Sequence, residues 1–174
     1  MTYRILVTDE IDSDGVALLK AEPSFDGAAA QTLVALSQAG FDTAGTQLVD
    51  GSGLSTTDRV PAQLLGAVLA QAAAPAQGVR DTQFLRPIIT GLPVAGGDGT
   101  LADRFANGSP SASGRGVVRA KTGTLTGVSS LAGIVTDADG RLLVFALMSN
   151  GVNPGLVRPK LDAIAAQLGR CGCR

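Results

Sequence analysis

The chain has 174 residues, 45% of them apolar and 17% charged, with a formal net charge of −1. This is long enough for a buried core and apolar enough for one globular chain, and the near-neutral balance gives no electrostatic footprint for nucleic acid. The absence of histidine excludes a Ser-His-Asp triad, and no segment reaches the ~18 apolar residues of a membrane span.

In chain order, Tyr3-Arg4-Ile5-Leu6-Val7-Thr8 reads as a buried strand, Asp9 to Asp12 as a polar turn, and Gly15 to Lys20 as a short helix capped by Ser13. A strand feeding a helix is a βα opening. The early acids Asp9, Glu10 and Asp12 do not fit a signal peptide. Val60 to Ala73 predicts a helix with Pro61 in its first turn and Leu64, Leu65, Val68 and Leu69 as its apolar stripe. The alanine-rich stretch Ala70 to Ala76 is a helix end broken by Pro75. Asp103 to Gly116, rich in glycine and serine, predicts a loop near a cleft. Asp98 and Arg104 are either a pair that pins this loop or two solvated charges.

Three β-like runs follow, Val117 to Leu125, Ser129 to Thr136 and Leu142 to Met148. Asp137-Ala138-Asp139-Gly140 between the last two is a hairpin signal, so three consecutive antiparallel strands are expected. Pro154 to Leu168 predicts a helix with Val157, Leu161, Ile164, Ala165 and Leu168 on one face and Pro159 in its first turn. Cys171 and Cys173 are too few ligands for zinc. A disulfide between them would be strained, which leaves free thiols or pairing with another chain.

Catalytic residue types cluster in one place, Arg119-Ala120-Lys121-Thr122-Gly123-Thr124-Leu125. A lysine on a strand supplies a fixed positive charge that relays a proton and holds a carboxylate. A threonine hydroxyl donates to the same carboxylate. Glycine lets a ligand lie close to the backbone, and the following N–H can serve a developing oxyanion. The competing account is an exposed edge strand that happens to spell Lys-Thr-Gly.

Three blocks together carry a resemblance. They are Leu48-Val49-Asp50-Gly51-Ser52-Gly53-Leu54-Ser55, then Leu92-Pro93-Val94-Ala95-Gly96-Gly97-Asp98-Gly99-Thr100-Leu101 with Arg104, then Ala120-Lys121-Thr122-Gly123-Thr124-Leu125-Thr126-Gly127-Val128. From about Phe25 to Arg174 the chain resembles the C-terminal part of a D-alanyl-D-alanine carboxypeptidase, more narrowly a class C low-molecular-mass penicillin-binding protein. The resemblance implies an α/β chain with part of the penicillin-binding-protein/β-lactamase-like fold, an antiparallel sheet packed by helices. It also implies serine acyl transfer on peptidoglycan stem peptides ending in D-Ala-D-Ala, with β-lactams as further ligands, no cofactor and no metal. By the match, Lys121, Thr122 and Gly123 form the catalytic Lys-Thr-Gly strand. Thr124 and Leu125 bind substrate beside it, and the Ser52-Gly53-Leu54 loop lies near the cleft. The other account of that loop is a glycine-rich turn before a helix, with Ser55 or Thr56 as its N-cap. The resembled family works outside the cytoplasmic membrane.

The departures are as informative. The lysines are Lys20, Lys121 and Lys160, and three residues before them stand Ala17, Val118 and Val157, so no Ser-x-x-Lys exists. The asparagines are Asn107, Asn150 and Asn153, and two residues before them stand Phe105, Met148 and Gly151, so no Ser-x-Asn exists. Ile5-Leu6-Val7-Thr8-Asp9-Glu10-Ile11 resembles the start of a D-3-phosphoglycerate dehydrogenase, but no Gly-x-Gly-x-x-Gly follows it. The expected organisation is therefore a foreign βα opening over 1–23 and a peptidase-like part over 24–174. Two functions stand against each other: a serine carboxypeptidase that keeps its activity, and a non-catalytic remnant that binds carboxylate ligands or a partner. A dehydrogenase fragment is the third and weakest.

Overall fold

The computed structural model describes residues 27–49, 51–74 and 85–172, and its contacts divide the chain into two units, 1–60 and 61–174. The expected βα opening, Pro75, Ala76 and Cys173 lie outside the described residues.

In the first unit, helix α1 spans Ala28–Gln38. The sequence reading left this segment without an element, although its alanines, Gln31 and leucines are strong helix formers. It is mostly exposed, with Ala29 its buried residue. Farther on, Gln47 and Arg59 exchange N–H···O bonds of 2.7 Å in both directions, and the Val49 N–H donates to Asp58 Oδ1 at 2.8 Å. These bonds close a loop whose tip is Ser52-Gly53-Leu54.

The second unit is built on the predicted three strands: β1 (Arg119–Leu125), β2 (Val128–Thr136) and β3 (Leu142–Asn150), antiparallel and in the order β1-β2-β3. The β2–β3 turn carries Gly140 at φ 81°, a left-handed position that glycine takes without strain. Asp137 Oδ1 accepts the N–H groups of Asp139 (2.9 Å) and Arg141 (2.8 Å), so this buried carboxylate holds the turn from inside. The register pairs Lys121 with Ala132, Thr122 with Leu131 and Gly123 with Ser130.

Strand side chains alternate, so the sheet has two distinct faces. One carries Val118, Ala120, Leu131, Val135 and Phe145 and is covered by helix α4 (Pro154–Leu168) through Val157, Leu161, Ala165 and Ala166. The other carries Ile134, Ala132 and Val144 and is covered by α2 (Ala62–Ala73) and α3 (Arg86–Thr90) through Leu69 and Ile89. Each fully buried Leu or Val contributes about 1.5–3 kcal/mol of transfer free energy.

Helix α2 begins one residue after Pro61, its N-cap, and buries Leu64 and Leu69 as the stripe predicts. Helix α4 corrects two expectations. Its first turn holds Pro154, and the Asn153 side chain caps it by accepting the Gly155 N–H at 2.8 Å; Pro159 lies inside the helix. Ile164 is 47% exposed, and the buried face instead includes Asp162. No described helix is long and apolar enough to cross a membrane.

Candidate functional site: an open edge beside Lys121

Among the described residues, β1 is an edge strand whose outer side is paired at its beginning. The Ala95 N–H donates to the Val118 carbonyl at 2.9 Å, and the Ala120 N–H donates to the Pro93 carbonyl at 3.0 Å, with a bridge between Val94 and Arg119. The segment is antiparallel to β1 and arrives from α3, where the Leu92 N–H bonds to the Ile89 carbonyl, so its pairing reaches Ala120 and does not extend over Thr122. Backbone N–H and C=O groups alternate along a strand, so those of Thr122 and Thr124 point to the same outer side as those of Ala120. Among the described residues of this unit no strand pairs with them. The edge therefore presents two N–H donors and two carbonyls at ladder spacing.

The side chains around this edge are of binding type. Lys121 is exposed, and its Nζ donates to the Thr122 carbonyl at 3.2 Å, which draws the ammonium back along the strand. It shares the α2–α3 face with Arg119, whose Nη2 donates to the Thr90 carbonyl at 3.3 Å. Two cations two residues apart on one face favour an anionic ligand. Thr124 is exposed and Thr122 half-buried on the other face. A Cβ at Gly123 would meet Ser130 Oγ across the strand pair, the end of a short side chain that can rotate away. Sequence reasoning missed Ser130 because only the register shows what faces Gly123.

The second family-like block lies beside β1. Asp98 Oδ1 accepts the Val94 N–H at 2.6 Å, and the Asp98 N–H returns to the Val94 carbonyl at 3.2 Å. The suggested Asp98–Arg104 pair is thus corrected. Arg104 instead forms a two-pronged ion pair with Asp162 on α4, Nε to Oδ2 at 3.0 Å and Nη2 to Oδ1 alongside, with side chains 15% and 7% exposed. The 103–116 loop packs through Phe105 on the α4 face, which also carries the Thr122 and Thr124 side chains and is opposite Lys121. A shallow depression of about 510 Å3 opens there, floored by Phe105 and rimmed by Arg104, Arg158 and Asp162. A lone acid on the buried face of a helical pattern was the sequence signal for Asp162; its partner, 58 positions away, was not readable.

The predicted site residues fall in different units. Lys121, Thr122, Gly123, Thr124 and Leu125 lie on β1 of the second, and Ser52, Gly53 and Leu54 form the loop tip of the first. That tip is a turn in which Ser52 Oγ accepts the Leu54 N–H at 3.0 Å. No helix starts there: Ser55 Oγ accepts the Thr57 N–H at 3.3 Å, and the next helix begins at Ala62. Cys171 is exposed. Among the described residues no cluster of His, Cys, Asp and Glu could hold a metal ion.

Comparison with known proteins shows the family to which the chain belongs. The family described as D-Ala-D-Ala carboxypeptidase 3 (S13) matches residues 12–170. Carboxypeptidase DacB of Mycolicibacterium smegmatis is 43% identical over 171 residues, which are 95% of this chain and 36% of that protein. A carboxypeptidase of Mycobacterium tuberculosis is 45% identical over 150 residues, 86% of this chain and 31% of that protein. The chain thus spans about a third of the length of these relatives. Among solved structures, penicillin binding protein 4 (dacB) of Haemophilus influenzae, complexed with a novel β-lactam, superposes with a TM-score of 0.69 at 25% identity, over 84% of this chain and 34% of that one.

Proposed function

The chain belongs to the D-Ala-D-Ala carboxypeptidase 3 (S13) family, and from this we propose that it supplies the carboxylate-binding wall of such an active site. Its ligands are peptides ending in D-Ala-D-Ala and the β-lactams that mimic them. The observation that carries the proposal is the open outer side of β1 from Thr122 onward, with Lys121 exposed beside it. An extended peptide adds to such an edge as a further strand, its main chain bonding to Thr122 and Thr124. The Lys121 ammonium and the threonine hydroxyls meet its terminal carboxylate, and the Thr124 N–H faces the carbonyl next to it. Gly123, backed by Ser130, leaves room for the ligand to lie flat. The β-lactam complex of the Haemophilus protein supports the choice of ligand. The Ser52-Gly53-Leu54 loop is proposed as a further contact on the strength of the family match.

The same proposal includes a limit. Acyl transfer needs an activated nucleophile, and the 174 residues contain no Ser-x-x-Lys. This chain therefore binds without forming an acyl-enzyme. The test is a titration of labelled protein with a peptide ending in D-Ala-D-Ala, followed through the backbone amide resonances of Thr122 and Thr124. Both amides are expected to shift, and Lys121→Ala is expected to weaken binding by about 1.5–3 kcal/mol, the value of a hydrogen bond to a charged group. Binding unaffected by Lys121→Ala would remove the lysine from the site.

A further inference from the structure

We propose that Ser129 is a positioning residue of the Thr124 edge: its buried hydroxyl aims the Thr124 hydroxyl at a ligand carboxylate. This rests on the binding role given to that edge. Ser129 is 1% exposed, and its Oγ is buried without a hydrogen-bond partner. A buried hydroxyl left unpaired destabilises a fold, and an alanine would fill most of the same space without that penalty. Such a group therefore calls for a reason.

The strand register supplies one. Ser129 stands opposite Thr124 on β1 and Ser149 on β3. Residues paired across a sheet share a face, so the three hydroxyls form a row on the α4 face, the face of Leu131 and Val135. The backbone groups of Ala120 point to the outer side of β1, and alternation gives those of Thr124 the same direction. Thr124 and Ser129 are thus a non-hydrogen-bonded pair, in which side chains come closest, with Cα atoms about 4.5 Å apart. Hydroxyls of Thr and Ser bond to each other across such pairs. In the free chain they do not: Thr124 is exposed, and its hydroxyl bonds to no described protein group.

A carboxylate sets the directions. It only accepts, so Thr124 must turn its proton outward to donate to it. The lone pairs of Thr124 Oγ1 are then left as acceptors, and Ser129, opposite, holds a proton with no other acceptor. Rotation of χ1 to another staggered position lets the two hydroxyls meet. Ser129 donates to Thr124, Thr124 donates to the carboxylate, and the two bonds strengthen one another. The hydroxyl that is unpaired in the free fold is satisfied in the complex.

Ser129→Ala removes the hydroxyl and little else. The melting temperature is read on the free protein, and affinity for a peptide ending in D-Ala-D-Ala is read from the Thr122 amide resonance. Ser129→Ala is expected to leave the melting temperature unchanged or raised, because the group it removes is unpaired. It is expected to weaken binding about fivefold, a typical net hydrogen-bond contribution. Thr124→Val weakens binding by itself, and adding Ser129→Ala to it changes affinity no further. When the C-terminus of the peptide is amidated, Ser129→Ala has no effect. Ser129→Cys, similar in size with a weaker donor, gives an intermediate loss. A lower melting temperature with unaltered affinity would make Ser129 a packing residue and overturn the proposal, as would losses that add in the double variant. Normal binding by Ser129→Ala removes the role of Ser129 alone. Failure of the unsubstituted chain to bind the peptide removes the binding role of the edge, and this proposal with it.

Discussion

At the scale of residues, the site is defined by what fits between neighbours. Gly123 has no special backbone conformation, and the atom nearest its missing Cβ is the rotatable Ser130 Oγ, so close approach of a ligand is the reason proposed for the glycine. Gly123→Ala is expected to turn the Ser130 hydroxyl away with a stability change under about 1 kcal/mol and to weaken peptide binding by filling the room beside the strand; thermal melts and the amide titration read both. If Gly123→Ala binds normally, close approach of the ligand is not the reason for the glycine. Arg104 shows the opposite case. Its ion pair is buried, so losing one partner leaves an uncompensated charge and costs far more than an exposed pair would.

At the scale of elements, the antiparallel meander and α4 carry the fold. Leu131 lies on the middle strand, fully buried, with Thr122 on one side and Leu147 on the other. Leu131→Ala is expected to cost about 2–5 kcal/mol in denaturant unfolding; a loss under 1 kcal/mol would mean that the sheet face is not the core described. The three strands were legible because their turns are short and carry clear signals, Thr126-Gly127 and Asp137-Ala138-Asp139-Gly140. Helices α2 and α4 were legible from their apolar spacing. What escaped was α1, whose weakly amphipathic alanine-rich sequence has no strong period, and α3, only five residues long. Pro159 misled because proline usually marks a first turn, whereas here it faces Gly155 one turn inside a helix that tertiary packing holds. The strand proposed to bind was legible by residue type. Its neighbours Pro93 and Ser130 required the fold, since one sits far from Lys121 in sequence and the other is identified only by register.

At the scale of the whole molecule, the chain joins a family signature to a missing reagent. It matches the S13 family over residues 12–170 and spans about a third of its curated relatives. The strand proposed to bind the carboxylate is within that match, while a Ser-x-x-Lys motif is nowhere in the sequence. The proposal therefore separates binding from acylation, and one measurement tests that separation. The intact protein is incubated with a fluorescent penicillin and its mass is then determined under denaturing conditions. The account predicts an unchanged mass; a stoichiometric penicilloyl adduct on any serine would contradict it.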